Sequence, residues 1–264
     1  MNSKSQLHVH GWGCMMFTKL TIELTNICNL SCDPCPRHHL KMNFGYMNEQ
    51  LFYKLLDQCP PGTTILPFWR GESLLHPQAI ELLYYAVSRK LDVVLATNGS
   101  RMVELHQQIG LIKKLKAINV SLHNIDSYSA YLWLQELKHA TNSPIDIQLS
   151  YVEGEHTDVP EELFNHLNLR RYKQHSFNGV WGCTDAEPVL YQDWCQRLDT
   201  DLVITWDGKV SRCCYVWQPI EGLDANTQTL ESIQYHPNYS RIITNYPDRI
   251  CSACDQWRGG GRTL

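Results

Sequence analysis

Between residues 19 and 181 the apolar positions alternate between two periods, a short strand-like run followed by a stretch at helical spacing. Leu20-Thr21-Ile22-Glu23-Leu24-Thr25 reads as the first strand. Asn48 can then cap a helix whose apolar face is Leu51, Phe52, Leu55 and Leu56. Thr63 to Phe68 predicts a second strand, and Pro77 opens a helix bearing Ile80, Leu83, Tyr84 and Val87, with Arg89 and Lys90 at its end. Val93 to Thr97 is a continuous apolar run, followed by a helix carrying Leu105, Ile109 and Ile112. Ile118, Val120 and Leu122 alternate, a less regular helix spans about Asp126 to Leu137, and Ile145, Ile147, Leu149 and Tyr151 alternate again. Pro160 begins the next helix, and Tyr172 to Val180 is expected as the sixth strand.

Six β-α units in series imply parallel strands joined by right-handed crossovers. Six strands are too few for the closed eight-stranded TIM barrel, so the expected α/β fold is an open, TIM-like partial (β/α)6 barrel. Its reactive site belongs at the carboxyl ends of the strands. Beyond residue 182 the alternation stops, which predicts an N-terminal extension over 1–18, a barrel over 19–182 and a small C-terminal domain over 183–264. In that last part Leu202 to Arg212 reads as a β-hairpin turning on Asp207-Gly208, and Leu230-Glu231-Ser232-Ile233 reads as a helix.

Composition narrows the partners. The 264 residues carry 43% hydrophobic residues, enough for a buried core, and a net charge of −4. No basic field invites nucleic acid, and no apolar run reaches membrane-span length. The polar first ten residues lack the apolar stretch of a signal peptide, so a cytoplasmic protein is expected. In a reducing compartment eleven cysteines in short-spaced groups point to metal rather than disulfides.

The first group, Cys28-Asn29-Leu30-Ser31-Cys32-Asp33-Pro34-Cys35, directly follows the first strand. Three thiolates on one loop can each hold one iron of a cubane and leave the fourth iron open for chemistry. This run resembles the cluster loop of the radical S-adenosylmethionine (SAM) enzymes. It departs from their pattern at Pro34, where a large residue near the adenine is usual. The resemblance implies a [4Fe–4S] cluster on Cys28, Cys32 and Cys35, with SAM chelating its fourth iron. It also implies roles at the strand ends. Gly71-Glu72 after strand two looks like the family's Gly-Glu motif, with Glu72 accepting from the SAM amino group. Asn98 in Thr97-Asn98-Gly99-Ser100 would lie beside SAM and the cluster, or serve only the turn. Ser121 matches the ribose-contacting serine, and Gln148 and Ser150 match positions that face SAM. His123 is a candidate acid/base or substrate ligand, and Trp181 a packing residue at the barrel mouth.

A second group is Cys195, then 17 residues to Cys213, then 37 to Cys251-Ser252-Ala253-Cys254. Four thiolates alone could hold structural zinc. Behind such a core they resemble the auxiliary-cluster domain of the SPASM/twitch group, in which the hairpin, the Asp-Gly turn and the pair Cys213-Cys214 are typical. That implies an auxiliary [4Fe–4S] cluster. Cys59 closes an apolar helix as a buried small residue, while Cys14 in the extension has no legible role.

The implied reaction is reductive cleavage of SAM to a 5′-deoxyadenosyl radical, fed by an external donor such as flavodoxin or ferredoxin. The radical would take hydrogen from an unactivated C–H of a small molecule or a peptide. An auxiliary cluster favours net oxidation. Radical epimerisation, with Cys214 or Cys183 as thiol hydrogen donor, and peptide crosslinking remain open, as does a zinc-stabilised binding module from another class. The short N-terminal extension leaves no room for a fused peptide-recognition domain, which tilts the expectation toward a small molecule.

Overall fold

The computed structural model describes residues 17–32, 35, 37, 41–153, 156–164, 167, 169–172, 195–245, 251 and 254. Cys14, Pro34, Trp181 and Cys183 lie outside the described residues.

Eight strands form one sheet in the order β6-β5-β4-β3-β2-β1-β7-β8. The first six are β1 (Lys19–Ile22), β2 (Thr64–Leu66), β3 (Asp92–Thr97), β4 (Ala117–Ser121), β5 (Asp146–Val152) and β6 (Leu169–Tyr172), each parallel to its neighbour. Between them run α1 (Glu49–Asp57), α2 (Ala79–Ser88), α3 (Met102–His106), α4 (Ile109–Ile112), α5 (Ile125–Thr141) and α6 (Glu161–Phe164). Asn48 caps α1 through its side chain, and Asn124 closes a reciprocal capping box with Ser127 at α5. The open parallel sheet flanked by helices is the expected partial barrel.

Alternation sets the two faces. Leu95, Ile118, Val120, Ile147 and Leu149 are buried with Leu82, Leu83, Ala130 and Leu134 of the helices in one apolar core. Asn119, Ser121, Gln148 and Arg170 occupy the other face and stay half-buried, so that face is polar, and it is the side on which a reaction chamber is expected.

Two expectations need correction, and a third falls mostly outside the described residues. The sixth strand is Leu169–Tyr172, ahead of the expected Tyr172–Val180 stretch, and residues 173–180 lie outside the description. The single helix expected through Leu105, Ile109 and Ile112 is two short ones, and Ile109 is exposed. Gln107 and Gln108 interrupt it, where backbone N–H groups close on carbonyls three residues back. The C-terminal hairpin also continues the barrel sheet. After α7 (Arg197–Thr200), β7 (Asp201–Ile204) pairs parallel with β1, and β8 (Val210–Ser211) pairs antiparallel with β7. Gly208, at φ +84°, makes its turn, and α8 (Leu230–Gln234) and α9 (Pro237–Thr244) follow.

Candidate active site

The cluster loop leaves β1 and is pinned before its first cysteine. The fully buried Asn26 donates to the Asn43 carbonyl at 2.7 Å and accepts the Gly45 N–H at 3.0 Å. Thr25 donates to the Gly45 carbonyl at 2.7 Å. The Leu30 N–H then donates to the Cys28 sulfur at 3.5 Å, and the Asn98 amide stands 3.8 Å from the same sulfur. His123 Nδ1 lies 3.6 Å from the Cys32 sulfur. Burial pushes the Cys28 thiol up. A thiolate there needs the positive charge of bound iron and the donors already aimed at it, so the chemistry of this set fits a cluster. Among the described residues no three His, Cys, Asp or Glu side chains close on one point as ligands of a single ion do. A cubane asks for a wider set, one sulfur per iron.

Glu72 is buried above this loop, and its carboxylate is already engaged. It accepts the Leu74 N–H at 3.1 Å and the Thr97 hydroxyl at 3.0 Å on one oxygen, and the Asn98 N–H at 2.7 Å on the other. Burial raises its pKa, while these hydrogen bonds and the nearby His123 oppose the rise. The glutamate therefore ties the strand-two loop to the end of β3 before any ligand arrives. Gly71 is needed for packing between loops. A Cβ there would sit 2.5 Å from the Thr25 and Ile27 carbonyl oxygens.

Asn98 also donates to the Asn29 side chain at 3.0 Å, so the Thr-Asn-Gly stretch does reach the cluster loop. Ser121 pairs in register with Ser150, and Asn119 with Gln148, which puts these residues on the chamber side of the sheet. There the Asn119 side-chain oxygen is buried without a hydrogen-bond partner among the described residues. Ser150 donates weakly to the Val120 carbonyl at 3.4 Å, and Gln148 turns toward Asp146.

In the second group, the Cys213 thiol is pushed up by burial and by the neighbouring Cys214, Cys254 and Cys251. Arg212 donates to the Cys251 sulfur at 3.5 Å. Buried thiols that repel one another become good ligands once iron neutralises them, so Cys213, Cys251 and Cys254 fit a metal cluster. Cys195 stands just ahead of α7, and no hydrogen bond or ion pair among the described residues joins its side chain to that trio. The Cys214 sulfur is 4.0 Å from Arg197, and burial pushes this thiol up too, in the field of Arg197, Asp201 and Lys19. Lys19 and Asp201 form an ion pair at the amino ends of β1 and β7, the end of the sheet away from Glu72.

A connection absent from the sequence reading joins the two groups. Arg70 grips the fully buried Glu23 carboxylate with two nitrogens, its Nε at 2.5 Å. Glu23 also accepts the Trp206 N–H at 3.2 Å. The Arg70 guanidinium lies 4.4 Å from the Trp69 ring centre and 5.5 Å from that of Trp217. The only sequence hint was the position of Trp69 and Arg70 beside the Gly-Glu motif.

Comparison with known proteins agrees with this geometry. Residues 195–255 match the SPASM iron-sulfur cluster-binding domain. The crystal structure of BtrN in complex with AdoMet and 2-DOIA has the same fold, with a TM-score of 0.66 at 16% identity over 90% of this chain and 93% of that one. The chain carries a SPASM-type domain over residues 195–255 and resembles the radical SAM proteins. The Streptococcus suis SuiB structure bound to precursor peptide SuiA matches with a TM-score of 0.62 at 14% identity, over 91% of this chain and 70% of that one. In sequence, 111 residues are 30% identical to the antilisterial bacteriocin subtilosin biosynthesis protein AlbA of Bacillus subtilis, covering 40% of this chain and 24% of AlbA. Matches to the curated relatives span between 24% and 30% of those proteins' length. The matched domain is an iron-sulfur cluster-binding one, and the BtrN structure holds AdoMet. Among the described residues no helix is long and apolar enough to cross a membrane.

Proposed function

We propose that this radical SAM protein oxidises its substrate by two electrons, dehydrogenating a small molecule or a peptide residue. The observation that carries the reading is that one loop makes contacts toward both thiol groups. The Cys28 loop and the Cys213, Cys251 and Cys254 trio flank a strand-two loop bolted to both by Gly71, Arg70 and Trp69. When bound, SAM and its cluster would supply a carbon radical able to take a hydrogen atom from a C–H, and a second cluster would be the acceptor for the remaining electron, with the remaining proton lost to solvent.

The chain's own residues do the rest. Cys28, Cys32 and Cys35 would hold the first cluster, with Asn98 offering a hydrogen bond to the Cys28 sulfur and His123 beside the Cys32 sulfur. Glu72 keeps one oxygen with a single donor, and can take a SAM ammonium there while holding the β3 end in place. Ser121, Ser150 and the unpartnered Asn119 oxygen give the chamber wall polar groups for ribose hydroxyls and the amino acid moiety. Cys195, Cys213, Cys251 and Cys254 hold the auxiliary cluster, within a C-terminal domain over 183–264. An external flavodoxin or ferredoxin supplies the starting electron.

BtrN with 2-DOIA and SuiB with its precursor peptide support both substrate classes. The test is anaerobic turnover of reduced protein with SAM and candidate substrates, read by mass spectrometry. Dehydrogenation gives one 5′-deoxyadenosine for each product lighter by two hydrogens. A product of unchanged mass sinks the oxidation and favours thiol-donor epimerisation.

A further inference from the structure

The Trp69 indole N–H donates to the Cys214 carbonyl oxygen at 2.8 Å. That oxygen belongs to the peptide group whose nitrogen is Tyr215's, and the Tyr215 N–H is the backbone donor that serves the Cys213 sulfur. One peptide plane therefore takes a hydrogen bond on its oxygen and gives one from its nitrogen. The turn repeats the one at the first cluster, where the Leu30 N–H serves Cys28 two residues back. Hydrogen bonds in series polarise each other, so a donor on the oxygen strengthens the N–H toward the sulfur.

The indole is held in that pose from two sides. Arg70 lies over its face at 4.4 Å, Trp217 meets it edge-on at 5.9 Å, and Arg70 is itself fixed to Glu23. Trp69 leads into Gly71-Glu72, while Cys213 heads the second thiol group. The contact thus links the loop after β2 to the residue that follows Cys213, one peptide group from that sulfur.

We propose that Trp69 is a positioning residue that raises the reduction potential of the auxiliary cluster through the Cys214–Tyr215 peptide group. Hydrogen bonds to cluster sulfurs stabilise the reduced form, which carries the extra negative charge. A raised potential makes the cluster a better acceptor for the substrate's electron. The inference rests on the reading of Cys213 as a ligand of an auxiliary [4Fe–4S] cluster.

The test measures that potential in the holoenzyme, reconstituted anaerobically with SAM present so that the two EPR signals separate. Trp69 is replaced by Phe, and separately by β-(3-benzothienyl)alanine, which keeps the ring shape and puts sulfur in place of N–H. At a fixed poise near the wild-type midpoint, both variants should show a reduced-to-oxidised ratio of the auxiliary cluster lower by roughly threefold. Trp217→Phe removes a neighbouring ring but not the relay and should leave the ratio unchanged. If Trp69→Phe loses the cluster, the isosteric variant decides. An unchanged ratio in the benzothienyl variant overturns the relay alone. Wild-type protein that holds a single cluster overturns the auxiliary-cluster reading beneath it.

Discussion

The Glu72 carboxylate accepts the Asn98 backbone N–H at 2.7 Å, and Asn98 extends its own side chain to Cys28 and Asn29. The loop after β2, the loop after β3 and the cluster loop are thereby one hydrogen-bonded unit. A residue assigned to cofactor binding is at the same time a structural clamp, and its substitution should be read on two axes.

Glu72→Ala should weaken SAM binding by roughly 1.5–3 kcal/mol, the worth of a charge-assisted hydrogen bond, while iron is retained. Equilibrium binding of SAM to the reconstituted protein checks this, and unchanged affinity would show that the amino group binds elsewhere.

The same carboxyl also predicts a pH dependence. Burial raises its pKa in the folded protein, so the folded state holds the proton more readily than the unfolded one. Its contribution to stability is full below the ordinary carboxylate value of about 4.3 and is lost as pH rises through the raised pKa. Urea unfolding of cluster-free protein across that range should show this slope in wild type and a flatter one in Glu72→Gln. Equal slopes would mean that Glu72 is not the group responsible.

Glu23→Gln should cost about 3–5 kcal/mol, because it leaves the Arg70 guanidinium buried without its counter-charge. Denaturant midpoints measure the loss. The double variant Glu23→Gln, Arg70→Met should recover part of it, since the cost lies in the orphaned charge. A double variant no better than Glu23→Gln alone would contradict that account.

Metal content separates the two thiol groups. About eight irons per chain are expected after anaerobic reconstitution, and changing Cys28, Cys32 and Cys35 together to Ala should leave about half. Tightly bound zinc in place of the second iron set would end the auxiliary-cluster assignment.

Cys59 provides a control for thiol chemistry. It is buried, donates to the Leu55 carbonyl at 3.4 Å, and its thiol is pushed up to about 12 by burial. Maleimide should leave it unmodified at neutral pH in the native protein and label it after unfolding. Native labelling of Cys59, mapped by peptide mass, would contradict the packing around α1.

The apolar periods alone determined the parallel β-α order, the Asn48 cap and the hairpin turn on Asp207-Gly208, because strand and helix periods, caps and turns are local properties of the chain. Cysteine spacing did the same for both thiol groups, since Cys28, Cys32 and Cys35 share a loop whatever the rest of the fold does. The strand at Leu169-Arg170-Arg171-Tyr172 was not legible because among the described residues it pairs with β5 alone, at a sheet edge, and its polar residues carry no alternation, while the 173–180 stretch expected there lies outside the described residues. Only the tertiary structure decided that β7 pairs with β1, that Glu23 meets Arg70, and that Trp69 reaches the Cys214 carbonyl. Such pairs lie 47 to 183 residues apart in the chain, from Glu23–Arg70 to Glu23–Trp206. No local period encodes them. They form because burying the sheet's second edge brings charged and aromatic side chains out of water, where each must find a partner.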